Sequence, residues 1–168
     1  METPLENRMI RGRKEAMIAF LRSHTNYIPE AFELALSNKQ PYCWRAAWLL
    51  QCCLVQNDPH FLPYLEKLLN AIPHKKDGHQ RELLKLLFLV DWDDKMEGEL
   101  YEYCMQIWLQ IHKSSSARAV AMEVMLRISN KYPALKQELG LLLQDTYLAT
   151  LSPGIKSSLI KRLNKKKA

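Results

Sequence analysis

The sequence predicts an all-α protein, a right-handed α-α superhelix (solenoid) of about four to five stacked helix pairs. Three observations carry this prediction. Apolar residues recur at i, i+3, i+4, i+7 in stretch after stretch. No stretch alternates β-branched and polar residues as a strand would. The chain also matches itself at shifts of 36 to 38 residues, with two helices per unit. At 168 residues, 48% of them hydrophobic and only five glycine, it can bury a core without disulfide or metal staples.

Periodicity and boundary chemistry place nine helices, at about 5–22, 28–37, 41–56, 59–72, 78–90, 93–112, 115–131, 133–149 and 153–165. In the second, Ile28, Ala31, Phe32, Ala35 and Leu36 form one apolar stripe. The third opens on "PYCWRAAWLL" (41–50), which sets the charge of Arg45 between Trp44 and Trp48. The fourth starts at "NDPHF", with Asp58 as cap and Pro59 at the first helical position. The fifth follows the polar connector "PHKKDGH" and opens "GHQRELLKLL". The sixth follows "DWDDK" and carries Leu100, Tyr103, Cys104, Ile107, Trp108 and Ile111 on one face. The seventh carries Ala117, Val120, Ala121, Val124, Met125 and Ile128. Pro133 opens the eighth, and Ser152 with Pro153 repeats the cap-plus-proline chemistry at the ninth.

Laying the helix pair that starts at Tyr42 on the pair that starts at Ser115 puts Arg45-Ala46 on Arg118-Ala119. After a one-residue slip, Pro59 falls on Pro133, Phe61 on Leu135, Leu65 on Leu139, and Leu68-Leu69 on Leu142-Leu143. The pair between them supplies Arg81, 36 residues after Arg45 and 37 before Arg118. Arg8 and Lys156 extend the series outward, giving a basic ladder with one rung per repeat. In a stacked array the rungs line up, with neighbouring helices about 8–10 Å apart. Bare cations there would repel one another, and each sits near a helix start, where the dipole disfavours it. The ladder is therefore expected to be structural, each arginine paired with a carboxylate of an adjacent pair: Glu66, Asp91, Asp93 or Glu138. The competing reading leaves the arginines in solvent, as a binding stripe for an acidic partner.

"WRAAWLLQCCLVQNDPHFLPYLEKLL" and "ARAVAMEVMLRISNKYPALKQELGLLL" resemble units of the HEAT and armadillo-like repeat class, as in small bacterial HEAT-like proteins. They lack the glycine and aromatic signature of the tetratricopeptide repeat and the Thr-Pro-Leu-His of ankyrin. The resemblance covers essentially the whole chain. It implies one HEAT-like repeat domain over 1–160, a basic C-terminal tail over 161–168, and a non-catalytic scaffold. Such a scaffold binds another protein on the concave surface lined by the second helix of each pair. HEAT-like folds also include the alkylpurine DNA glycosylases, which combine a basic concave face with tryptophans and an acid. That activity matches no residues here position by position and would rest on fold alone.

The net charge is +6, but "RMIRGRK" (8–14) and "KRLNKKKA" (161–168) hold nine of the 24 basic residues and no acid. The body is left with 15 basic residues against 18 acidic ones. Solvated basic ends are expected rather than a continuous nucleic-acid groove. Nucleic-acid binding through the ladder and tail, weak and steeply salt-dependent, is the alternative. The candidate binding residues are Trp44, Arg45, Arg81 and Arg118, with Lys161, Arg162, Lys165, Lys166 and Lys167 in the tail.

No catalytic residue, metal or cofactor is expected. The chain has no GxGxxG, GxxxxGK, GxSxG or HExxH. His24, His60, His74, His79 and His112 fall at helix ends or connectors, and His74 and His79 read as solvated in one loop. Cys43, Cys52, Cys53 and Cys104 show no CxxC spacing and read as reduced, buried small hydrophobes. The carboxylates of "DWDDK" read as caps for the next helix. Large aromatics read as core between repeats, with Trp44 the one placed to reach the surface. The first thirty residues hold no unbroken apolar segment for a signal peptide, and nothing approaches the roughly 20 residues that cross a bilayer. A cytoplasmic protein without a membrane partner is expected.

Overall fold

The computed structural model describes residues 2–165, with side chains to Leu163. The fold is all-α; among the described residues there is no strand. Eleven α-helices follow one another: α1 (Pro4–Arg11), α2 (Lys14–Ser23), α3 (Ile28–Leu36), α4 (Tyr42–Cys53), α5 (Leu65–Ala71), α6 (Asp77–Leu87), α7 (Asp94–Leu109), α8 (Ser115–Ser129), α9 (Pro133–Leu142), α10 (Asp145–Leu148) and α11 (Pro153–Lys165).

Three expected helices are broken, two of them for visible reasons. The helix expected over 5–22 splits at Gly12, which is extended, and whose added Cβ would meet the Arg8 carbonyl oxygen at 2.5 Å. The helix expected over 59–72 becomes a 3₁₀ turn at Pro59–Phe61 followed by α5. Pro63 lies between them; it lacks an N–H and its ring opposes the carbonyl four residues back. The helix expected over 133–149 breaks at Gln144, which is extended; no proline or glycine marks this break. Capping elsewhere follows the sequence. Thr3 and Glu6 form a capping box on α1, and the Asp58 side chain accepts from the His60 N–H.

The chain divides into two compact units, one ending at Asp93 and the other beginning at Asp94. In the first, α4 packs against α1, α2, α3 and α6. Its inner face is Tyr42, Cys43, Ala46, Ala47, Leu49 and Leu50. Phe32 stacks on Tyr64 at 4.4 Å between ring centroids and meets Phe61 edge-on. In the second, α8 packs against α7, α9 and α11. It is apolar on nearly every side because it is surrounded: Met122, Val124 and Met125 are fully buried. Each such side chain contributes about 1.5–3 kcal/mol of burial.

Side-chain hydrogen bonds within each unit reach about one repeat along. In the first, Lys39 pairs with Glu6 at 2.6 Å and Gln51 donates to the Glu82 carboxylate at 3.0 Å. In the second, Trp108 donates to the Leu142 carbonyl at 3.1 Å and Lys131 pairs with Glu97 at 2.5 Å. Sequence separations run from 31 to 34 residues in these bonds. The repeat seen in the sequence is thus also the unit of packing.

Candidate binding face

α4 has two sides of different chemistry. With its small and aliphatic residues turned inward, Trp44, Arg45, Trp48, Gln51 and Cys52 are left half-exposed on the outer side. Positions 44, 48, 51 and 52 follow helical spacing, so this is one face. Each tryptophan carries a cation. The Arg45 guanidinium lies 5.3 Å from the Trp44 ring centroid, and the Lys14 ammonium 5.7 Å from that of Trp48. α6 packs against α4 and offers Arg81, Lys85 and Phe88, also half-exposed and at helical spacing. Arg81 pairs with the buried carboxylate of Glu82 at 2.7 Å, and Lys85 approaches the same oxygen at 3.6 Å.

Arg45 and Arg118 meet backbone carbonyls where carboxylates of an adjacent pair were expected, and the carboxylate beside Arg81 is one of its own helix. Arg45 donates to the Met9 carbonyl in the last turn of α1. Arg118 donates through Nε to the Trp108 carbonyl at 2.9 Å, in the last turn of α7, and through Nη1 to the Thr150 hydroxyl at 2.8 Å. The carbonyl end of a helix carries partial negative charge and does the work expected of a carboxylate. Glu66 is instead exposed, Asp91 is held by Asn57, and Glu138 accepts from Tyr101 at 3.4 Å. Arg81 meets a carboxylate, that of its own neighbour Glu82.

Arg118 is fully buried and so faces no partner. Its guanidinium also lies 4.8 Å from the Trp108 ring centroid, and its Nη2 has no hydrogen-bond partner. Burial alone pulls its pKa down from the ordinary arginine value. In the tail, Lys161 is exposed and Arg162 pairs with Glu123. Lys165 ends α11, and Lys166 and Lys167 lie outside the described residues.

Other candidates resolve as structure. His79 corrects its assignment to a solvated loop: it is 4% exposed inside α6, and its Nε2 meets the Ala35 carbonyl at 2.7 Å. Burial holds its pKa below the usual histidine value. Asp91 is tied to Asn57. Its carboxylate accepts from the Asn57 side-chain amide Nδ2 at 2.8 Å while its own backbone N–H donates to the Asn57 side-chain Oδ1 at 2.8 Å. All four cysteines are free thiols; Cys43 and Cys104 are buried, while Cys52 and Cys53, expected buried, are half-exposed. Burial pushes the Cys53 thiol up to about 11, far from thiolate chemistry at neutral pH. Among the described residues no three His, Cys, Asp or Glu side chains converge as a metal ion requires, and no helix is long and apolar enough to cross a membrane.

Sequence reasoning missed two features. The Lys14–Trp48 contact joins residues 34 positions apart on different helices. A groove in the second unit, lined by Tyr101 and Tyr132 among others, is likewise assembled from distant segments. Its only linear signal is the run of acids and tyrosines in "DDKMEGELYEY".

Comparison with known proteins matches a family model described as a HEAT repeat domain to residues 1–167. No curated protein and no solved structure matches the chain.

Proposed function

The chain belongs to the HEAT repeat family, and from that premise we propose that it is a non-catalytic scaffold that binds another protein on the Trp44–Arg45–Trp48 face of α4. The observation that carries this reading is the exposure of two tryptophans flanking an arginine on the outer side of a helix whose inner side is fully satisfied. Tryptophan and arginine are the residue types most enriched where protein interfaces concentrate their energy. Half-buried rings already held by cations lose little rotamer entropy on binding.

The same geometry weighs against nucleic acid. A phosphate-binding ladder needs free cations, and its three central rungs are engaged within the protein. Arg118 is buried, Arg81 and Lys85 share the Glu82 carboxylate, and Arg45 sits on the end of α1.

The test compares wild type with Trp44→Ala/Trp48→Ala as bait in native lysate, read by quantitative mass spectrometry. Losing two hot-spot side chains at about 2 kcal/mol or more each lowers affinity more than tenfold. The captured partner should drop by that factor while the thermal midpoint stays within a few degrees. Undiminished capture by the double variant removes this face from consideration. Loss of the captured set on nuclease treatment replaces the protein reading with a nucleic-acid one.

A further inference from the structure

The second unit carries a groove of about 460 Å³ between α7, the end of α8 and the start of α9. That volume lies within the range of about 300–1,000 Å³ typical of ligand sites. Its lining is mainly apolar: Ile128 is buried, and Ala134 and Leu135 stand beside it. Tyr101 and Tyr132 complete it, and carboxylates gather around them. Tyr132 donates towards Asp94 at 3.2 Å and Glu97 at 3.1 Å, and Tyr101 towards Glu138 at 3.4 Å. The Tyr132 phenol is pushed up to about 12 by its bond to Glu97, so it remains a neutral donor.

Counting charges exposes a deficit. One phenolic hydrogen cannot serve Asp94 and Glu97 at once. Glu97, 3% exposed, is neutralised by Lys131 at 2.5 Å. Asp94 and Glu138 are exposed and have no cationic partner among the described residues. Asp94 thus lines an apolar groove with two tyrosine rings, and Glu138 stands beside it at the Tyr101 hydroxyl, both without a cation among the described residues. The complementary guest is an ammonium or guanidinium on an alkyl stem, which lays the stem on the apolar lining and brings the charge to the carboxylates. The volume exceeds one such side chain and leaves room for an apolar neighbour against Leu135.

We propose that this groove is a docking site for a lysine or arginine on an extended segment of a partner protein. The site shares no residue with the Trp44–Trp48 face and stands independently of it.

The experiment pans a displayed library of random heptapeptides on the full chain carrying Trp44→Ala/Trp48→Ala, which silences the other face. A second bait adds Asp94→Asn/Glu138→Gln; both carboxylates are exposed, so the fold should survive. A third adds Leu135→Lys, which places the chain's own ammonium in the groove. The first bait should enrich peptides with Lys or Arg beside apolar residues. Their affinity should fall at least tenfold on exchange of that basic residue for norleucine, and equally on both variant baits. The proposal is overturned if no basic residue is enriched, or if the variants bind the selected peptides unchanged. It is also overturned if free spermidine binds with the same dependence on Asp94 and Glu138 while no peptide is selected, since the groove then takes a small amine.

Discussion

Arg118 gives the sharpest test of the packing argument, because its environment separates charge from geometry. The perturbation is a pair of substitutions, Arg118→Lys and Arg118→Met. In the wild type the planar guanidinium spans two acceptors, the Trp108 carbonyl at 2.9 Å and the Thr150 hydroxyl at 2.8 Å. Lysine keeps the buried charge but loses the fork, so one ammonium cannot occupy both positions. It forfeits at least one charge-assisted hydrogen bond, about 1.5–3 kcal/mol, and keeps the whole desolvation cost. Methionine forfeits both bonds and the favourable α7 terminus, which contributes up to about 2 kcal/mol. It also removes the desolvation of a cation with no carboxylate partner, a penalty of several kcal/mol. The two effects nearly cancel, so Arg118→Met should lie close to wild type and above Arg118→Lys. At about 2–4 °C per kcal/mol for a chain of this size, Arg118→Lys should lower the thermal midpoint by roughly 3–12 °C. Calorimetry and urea titration read this directly. Arg118→Met falling well below Arg118→Lys would refute the reasoning, because the charge itself would then be stabilising the core.

Two further outcomes follow from the first unit. Asn57 has φ 55° and exchanges two hydrogen bonds with Asp91. Asn57→Gly should lose those bonds alone, whereas Asn57→Ala should add a left-handed backbone cost of about 1–2 kcal/mol; equal urea midpoints for the two would disprove the strain. His79 is held neutral by burial, with Lys75 adding to the effect. The unfolded chain binds a proton near pH 6.5 that the folded one refuses, so stability should be complete above that pH and fall as pH drops towards 5. His79→Gln should flatten this slope of midpoint against pH, and an unchanged slope would clear His79 of the role.

The fold was legible because it depends on period. Stripes such as Ala117, Val120, Ala121, Val124, Met125 and Ile128 state which face is buried, and all six are. Proline and glycine effects were legible only when read as clashes: Pro63 and Gly12 stood in view inside two expected helices. The periodic recurrence of arginine was visible, but its partners were not. A carboxylate has a one-letter code, whereas the carbonyl at a helix end has none, and it was the carbonyl that Arg45 and Arg118 found. The acidic groove was hidden for a related reason. Its charge deficit depends on which lysine reaches which glutamate, and the chain order of Asp94, Glu97, Lys131 and Glu138 does not state that.

The charge of Arg45 between two tryptophans has a physical reason. Helices end with carbonyls that lack intrahelical partners, and the usual solution is a glycine in the left-handed conformation. This chain has five glycines, and among the described residues none has positive φ. Several of its helix ends are instead closed by long side-chain donors. Arg45 serves Met9 of α1, and Lys75 and His79 serve Leu36 and Ala35 of α3. Arg22 serves Cys52 of α4, Trp92 serves Leu87 of α6, Arg118 serves Trp108 of α7, and Trp108 serves Leu142 of α9. A helix capped in this way is completed only when its neighbour docks, so secondary structure and stacking become one event. Helix ends recur with the repeat, and two rungs of the ladder, Arg45 and Arg118, recur with them as donors, while Arg81 turns to Glu82. With Arg45 turned to the end of α1, α4 still offers the half-exposed Trp44, Trp48, Gln51 and Cys52 to solvent, the face proposed above for a partner protein.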